Sequence, residues 1–234
     1  MYSFSRLDNL ISSHEAWSNK FFDRVQHGIT LDSLRIVCPE YFQFTAAFPG
    51  ILSNLVSRTE GGVQFHLVSI LYSELGSGTE SHAHSRLFRI LCEELGAPVS
   101  TNGGGRPALP STVKLIEGMR HIYGKNPIIE SLGAQYALEF QADNMLRSFR
   151  RAFSILERPR AKAPEGMLFF TVHECDEPQH SDAMQKALLR CIENEAQLSN
   201  AARGAENCLD LLAGFWGGLY ARLFRPTVVS AVRR

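Results

Sequence analysis

The stretch HECDEPQH, residues 173–180, has an imidazole at each end and three acids between them, Glu174, Asp176 and Glu177. On a helix turning 100° per residue, positions i, i+4 and i+7 fall within an arc of about 60°. His173, Glu177 and His180 therefore share one face, with Asp176 slightly farther round as a rival to Glu177. Imidazole nitrogens and ionised carboxylate oxygens on one face can ligate a metal. The competing reading is a solvated polar stripe, the ordinary fate of charged residues on a helix. The apolar run MLFF, residues 167–170, enters directly before His173 and favours an inward-facing site.

Two further segments offer partners. In YSELGSGTESHAHSRLF, Glu74 and His84 are ten residues apart, near one face after almost three turns. Glu80 and His82 are their rivals; His82 lies about 160° around from His84, so the two cannot readily face one metal. In QYALEFQADNML, Glu139 sits among Tyr136, Leu138 and Phe140 and is placed to point inward from a third helix. Asp143, one turn later, reads as exposed or as an outer partner. Together these segments supply three imidazoles and three carboxylates. That mixture suits a pair of non-haem irons, whereas a lone structural zinc is saturated by four ligands. His14, His27, His66 and His121 lack partners at ligand spacing.

The elements that must position these residues read as helices throughout. Apolar spacing of three and four predicts helix over residues 5–28, and again from Pro39 with an interruption at Pro49 and Gly50. Residues 63–95 form one helical region broken by Gly-Ser-Gly, and GAPVSTNGGGRPALP is the clearest loop. Helix resumes with Ser111 as a candidate cap, then over the long run ending near Pro159, then over roughly 167–200 and 204–223. Strand-like alternation and internal repeats are nearly absent, so residues 1–234 are expected to form a single all-α bundle. Metal sites in such bundles are assembled from inward-facing side chains of several helices.

Lys plus Arg and Asp plus Glu are balanced at 24 each, which gives no pull toward nucleic acid or an anionic membrane. Five scattered cysteines without a CxxC pair argue against a disulfide framework or a thiolate zinc site, and point to a cytoplasmic protein. No segment has the length and apolarity of a signal peptide or a membrane span.

Three quoted motifs resemble the haem-oxygenase-like diiron oxidases and oxygenases, a superfamily with a seven-helix fold. They are Glu-x-Gly-x-Gly followed by His-x-x-Leu-Phe (Glu74 to Phe88), an inward Glu on the next long helix (Glu139), and His-x-x-x-(Asp/Glu)-x-x-His (His173 to His180). The likeness runs in order over residues 60–190. It implies the ligands Glu74, His84, Glu139, His173, Glu177 and His180, two Fe(II) ions, and O2 as co-substrate. It implies oxidation of an amino acid or amino-acid-derived small molecule in natural-product biosynthesis, with an external electron donor. Products in the resembling family include nitro and hydroxylamine compounds, alkenes, and cleaved or rearranged amino acids such as nitriles.

Some N-oxygenating relatives carry an extra carboxylate on the preceding helix. Residues 41–59 contain no Asp or Glu, which favours carbon-directed oxidation or cleavage, with Glu40 left to be placed. Tyr136, Phe140, Phe169 and Phe170 are candidates to line an apolar substrate site, while Trp216 and Tyr220 read as core. Which of Arg86, Arg89, Arg147, Arg150 and Arg151 would meet a substrate carboxylate is left open by the sequence. Pro178 removes a backbone donor and crowds the carbonyl of Glu174, predicting a loosened turn at Glu177 and His180 and a labile second metal. Two other classes compete: a metal-free thiaminase-like hydrolase, for which Cys175 would be the nucleophile to examine, and a non-enzymatic helical interaction protein. A homodimer is compatible with a bundle of this size.

Overall fold

A computed structural model describes residues 4–97, 99, 107–157 and 164–224. Its α-helices are α1 (Ser5–Ser13), α2 (Lys20–Gln26), α3 (Leu31–Val56), α4 (Gly61–Glu74), α5 (His84–Glu94), α6 (Pro110–Lys125), α7 (Ile128–Glu157), α8 (Leu168–Leu189) and α9 (Glu195–Phe224). Short 3-10 turns, Glu80–His82 and Glu165–Met167, lead into α5 and α8. No strand occurs among the described residues. The protein is all-α, with nine α-helices described where the family resemblance implies seven.

The helix boundaries differ from expectation at three places, each for a local reason. Residues 5–28 divide into α1 and α2 because Asn19 caps the second helix, its side chain accepting from the Phe21 N–H at 2.9 Å. α3 runs unbroken through both Pro39 and Pro49. Burial on both sides of Pro49, from Phe42, Phe44 and Phe48 to Ile51, Leu52 and Leu55, outweighs the lost backbone donor. The last break falls before Glu195, where Asn194 accepts from the Gln197 N–H at 3.0 Å.

Gly204 lies inside α9 because of packing. A Cβ there would stand 1.9 Å from the Glu130 carbonyl oxygen of α7, and one at Gly133 of α7 would stand 2.0 Å from the Ala201 carbonyl oxygen of α9. The two longest helices therefore meet nearly backbone to backbone, with Ala134, Ala137, Ala201 and Ala205 buried along them. α8 packs on α7 and α4, and α3 packs on α5 and α6. The centre is aromatic: Tyr41 touches Phe88 at 5.1 Å, Phe149 at 5.3 Å and Trp216 at 5.8 Å between ring centroids.

Glu40 is buried in α3, where its Oε2 accepts from the Leu109 N–H at 2.9 Å and from the Thr112 hydroxyl at 2.6 Å. It supplies the N-terminal acceptor of α6, the role that sequence assigns to Ser111, whose own hydroxyl is buried without a partner. Replacing Glu40 with leucine leaves one buried and one half-buried donor without this acceptor and should cost about 1–3 kcal/mol in chemical denaturation. Iron uptake should be unchanged, since Glu40 is engaged with α6; a variant that loses iron would overturn this placement.

Candidate metal centre

Glu74 ends α4, and the chain then reverses so that α5 begins at His84 beside it. The reversal needs left-handed backbone at Gly76, Ser77 and Gly78 (φ 93°, 50° and 86°). A Cβ at Gly76 would lie 2.3 Å from the Thr79 carbonyl oxygen, so glycine is required there. The nine residues between the two ligand candidates are thus spent on a turn rather than on continuous helix. His84 Nδ1 comes to 3.2 Å from Glu74 Oε2. His82 and Glu80, the alternatives, are exposed, and Glu80 pairs with Arg86.

His173 enters from α8 one turn after Phe169. Its Nδ1 donates to the Phe169 carbonyl at 2.7 Å, which leaves Nε2 as the free lone pair. The His84 and His173 rings stand 4.1 Å apart. One ligand atom from each of Glu74, His84 and His173 lies within 4.8 Å of the others, and all three residues are buried. Beside this cluster, Glu139 of α7 and His180 of α8 are also buried, with His180 Nδ1 3.4 Å from Glu139 Oε2. Asp176 is half-buried, accepts from the Ser73 hydroxyl at 2.6 Å, and faces His84 Nε2 at 3.9 Å. Of the six residues that the resemblance implies as ligands, the structure brings together Glu74, His84, Glu139, His173 and His180. The side chain of Glu177 lies outside the described residues. α8 runs on through Pro178 to Leu189.

The fit to a cation rests on the orphaned nitrogens. His84 Nδ1 and His180 Nδ1 are buried, each close to a carboxylate oxygen, yet neither makes an aligned hydrogen bond. Buried polar atoms normally find partners, and a metal drawn between nitrogen and oxygen supplies one. The charge states agree. Burial raises the Glu74 carboxyl, but His84, with His173 and His180, outweighs it and brings the pKa from 4.5 down to about 2. Burial first and His84 second lower His173 from 6.5 to about 3. At neutral pH the site thus offers an ionised carboxylate and a neutral imidazole, the forms that bind metals.

These shifts set the acid response of the metal-free protein. Between pH 6.5 and about 3 the unfolded chain binds a proton at His173 that the folded chain refuses. The stability associated with His173 is therefore complete above that window and falls with pH through it, by roughly one kcal/mol per unit. Glu74 acts lower: its contribution is present above 4.5 and lost as pH falls toward 2. His180 has the opposite sign. Burial lowers its pKa, but Glu139 outweighs burial and raises it, so its contribution is present below 6.5 and lost as pH rises through the raised value. Urea unfolding of metal-stripped protein at pH 7 and pH 5 should show a loss at pH 5 that His173→Leu reduces; equal losses would refute this assignment.

Sequence reading missed the support of Glu139. Gln135, one turn earlier on α7, donates through Nε2 to Glu139 Oε1 and accepts through Oε1 from the Tyr123 hydroxyl. Both are fully buried. The i−4 spacing of Gln135 on the same face was the available signal.

Glu74, His84, Glu139 and His173 border an apolar cavity of about 50 Å³ whose walls include Tyr41, Phe44, Phe48, Phe169, Phe215 and Trp216. Of the expected lining residues, Phe169 is there. Phe170 packs on Phe153, Tyr136 donates its hydroxyl to Asp8, and Phe140 lines a different cavity. Trp216 is buried in the core, as read from the sequence, and is a wall of the cavity as well. Among the described residues no arginine lines it. Arg86, Arg89 and Arg150 pair with Glu80, Glu93 and Glu174, and Arg147 and Arg151 are exposed. Cys175 is exposed, away from the cavity.

Carboxylates and imidazoles projecting from several packed helices into one buried space define a metal-binding helical bundle. The chain belongs to the iron-containing redox enzyme family, which matches residues 35–213. Among characterised proteins it is similar to the 4-chloro-allylglycine synthase of Streptantibioticus cattleyicolor, 22% identical over 211 residues, covering 89% of this chain and 79% of that protein. A CADD-like protein of unknown function from Nostoc punctiforme superposes with a TM-score of 0.77 at 20% identity, covering 93% of this chain and 95% of the other. A domain of unknown function from Shewanella denitrificans, with a heme oxygenase-like fold, gives 0.66 at 15% identity over 93% and 88%. The fold is haem-oxygenase-like, and the protein is an oxidoreductase of this iron-containing class.

Proposed function

We propose that this protein is a non-haem diiron enzyme that uses O2 to oxidise an amino acid or amino-acid-derived substrate at carbon, in natural-product biosynthesis. The observation that carries the reading is the pair of buried clusters, Glu74/His84/His173 and Glu139/His180, with unpartnered imidazole nitrogens beside an apolar cavity. Glu74, His84 and His173 would hold one ferrous ion; Glu139 and His180 would hold the other, with Glu177 or Asp176 completing the set and the second ion the more labile. When bound, the irons supply activation of O2. The chain's own part is to fix the His173 imidazole through the Phe169 carbonyl, orient Glu139 through Gln135, and keep bulk water from the reacting carbon with its aromatic walls.

Two observations favour carbon over nitrogen as the point of attack. The α3 residues facing the cavity are Tyr41, Phe44, Thr45 and Phe48, without a carboxylate, and Glu40 is engaged with α6. The relative at 22% identity is by name a synthase of an unsaturated amino acid, the alkene type of product expected here. Desaturation, or cleavage to an alkene and CO2, removes two electrons from substrate, and full reduction of O2 to water takes two more from an external donor; conversion of an amino acid to a nitrile and CO2 removes four and needs no donor.

Anaerobic ferrous titration of metal-stripped protein tests the reading, followed by O2 consumption with a panel of amino acids. Uptake approaching two irons, and consumption accelerated by one class of amino acid to an alkene, nitrile or cleavage product, is the expected result. A hydroxylamine or nitro product would move the attack to nitrogen, and a folded protein that takes up no iron would end the diiron reading.

A further inference from the structure

The inner cavity poses a difficulty that a neighbouring one resolves. At about 50 Å³ it holds a few water-sized groups. Pockets for small ligands usually begin near 300 Å³, so an intact amino acid does not fit there. Its walls are also wrong for a charged head group. Apart from the ligand candidates they are apolar except for the Tyr41 and Thr45 hydroxyls and the Trp216 indole N–H, and the Thr45 hydroxyl is already spent on the Phe42 carbonyl at 3.0 Å. Placing an ammonium or carboxylate against such walls without partners is costly.

A second cavity, of about 220 Å³, lies between α1, α2 and α7 and is lined by Ser12, Trp17, Phe22, Gln26, Phe140 and Ser148, together with Met145. Met145 lines the inner cavity as well, so its side chain is a shared wall. The outer space has polar groups that the inner one lacks. No hydrogen bond among the described residues uses the side chains of Ser12, Gln26 or Ser148. Methionine, unbranched and with three rotatable side-chain bonds, is the residue type best able to change rotamer and join two spaces.

We propose that the outer cavity is a head-group subsite, and that the substrate is an amphiphilic amino acid whose polar head rests among Ser12, Gln26 and Ser148 while its hydrocarbon arm passes Met145 to the metal-binding cavity. This rests on the oxidase reading for the chemistry, but not for the binding. It places the reacting carbon along the arm, away from the amino and carboxylate groups, and requires no buried cation. Met145 then sets the length and girth of arm accepted.

The test is calorimetric titration of the full chain, metal-free and anaerobically ferrous-loaded, with straight-chain L-2-amino acids from norvaline to 2-aminooctanoic acid. Wild-type affinity should rise with chain length. Met145→Trp should weaken 2-aminooctanoic acid by at least about tenfold and norvaline far less. Ser148→Leu should weaken every member by roughly two- to tenfold, the worth of one hydrogen bond to the head. Met145→Ala, which opens the passage, should bind the longest member at least as well as wild type and so separates blockage from damage. Ferrous stoichiometry should match wild type in all three variants, and each should retain a single cooperative melt, with Met145→Ala lowered by the cavity it leaves.

The proposal is overturned if no member of the series binds wild-type protein, or if Met145→Trp and Ser148→Leu bind 2-aminooctanoic acid as wild type does. Absence of iron uptake by wild type would remove the oxidase reading instead. The metal-free titrations would still decide the subsite.

Discussion

His173→Leu is expected to lower ferrous affinity at least about a hundredfold and to abolish O2 consumption, while the metal-free protein melts no lower than wild type. The affinity loss follows from the held geometry. The ring is fixed by the Phe169 carbonyl with Nε2 free, and it stands within 4.8 Å of the ligand atoms of Glu74 and His84. An outer partner of a ligand is commonly worth tenfold to a hundredfold in metal affinity, and a direct ligand is worth at least that. Gln135→Leu provides the graded comparison: it removes the donor to Glu139 and should cost about tenfold to a hundredfold. The stability half follows from the cost of the empty cluster. Leucine keeps the apolar packing on Phe169, where the rings are 4.2 Å apart, and removes a buried polar group. Retention of two tightly held irons in His173→Leu would exclude His173 as a ligand.

Gly204→Val is expected to destabilise the fold by about 3 kcal/mol or more, visible as a fall in melting temperature of roughly 6–12 °C for a chain of this size. The cause is backbone against backbone. A Cβ at Gly204 would lie 1.9 Å from the Glu130 carbonyl oxygen, and neither a rotamer change nor a flexible side chain can relieve that contact. α9 and α7 would have to separate along their length, carrying Glu139 away from His180. Gly214, also in α9, has nothing within 4 Å of the place a methyl group would take, and it is the control: Gly214→Ala should be neutral or slightly stabilising. Equal melting of Gly204→Val and wild type would show that α7 and α9 do not approach this closely in solution.

Much of this arrangement is legible in the chain because helical spacing is a local property. His173 and His180 are seven residues apart on one helix, and MLFF announces the burial of the first. The choice of His84 over His82 needed the family motif, because the Gly76–Gly78 turn defeats any angle reckoned as if the helix were continuous. Pro49 misled because a proline inside a well-buried helix is tolerated, and the break expected between 200 and 204 falls instead before Glu195, where Asn194 caps the last helix. The cavity walls could not be found by spacing. Thr45, Leu115, Leu212 and Trp216 come from three helices distant in sequence and converge only through tertiary contacts. Tyr136, Phe140 and Phe170 have the residue types of a lining, but their directions are set by Asp8, the outer cavity and Phe153.

The close contact of α7 and α9 also divides the site by how readily its backbone opens. Amide protons are protected longest where helices share the most buried, tightly packed surface, and Glu139 stands on that spine. His173 and His180 stand on α8, which borders it, and Glu74 and His84 on either side of an exposed turn. Hydrogen exchange should therefore be slowest along α7 and α9 and faster at residues 75–83. On the proposed reading, one ligand candidate, Glu139, then stands on the slowest-exchanging pair of helices, and the others stand on elements that open more readily.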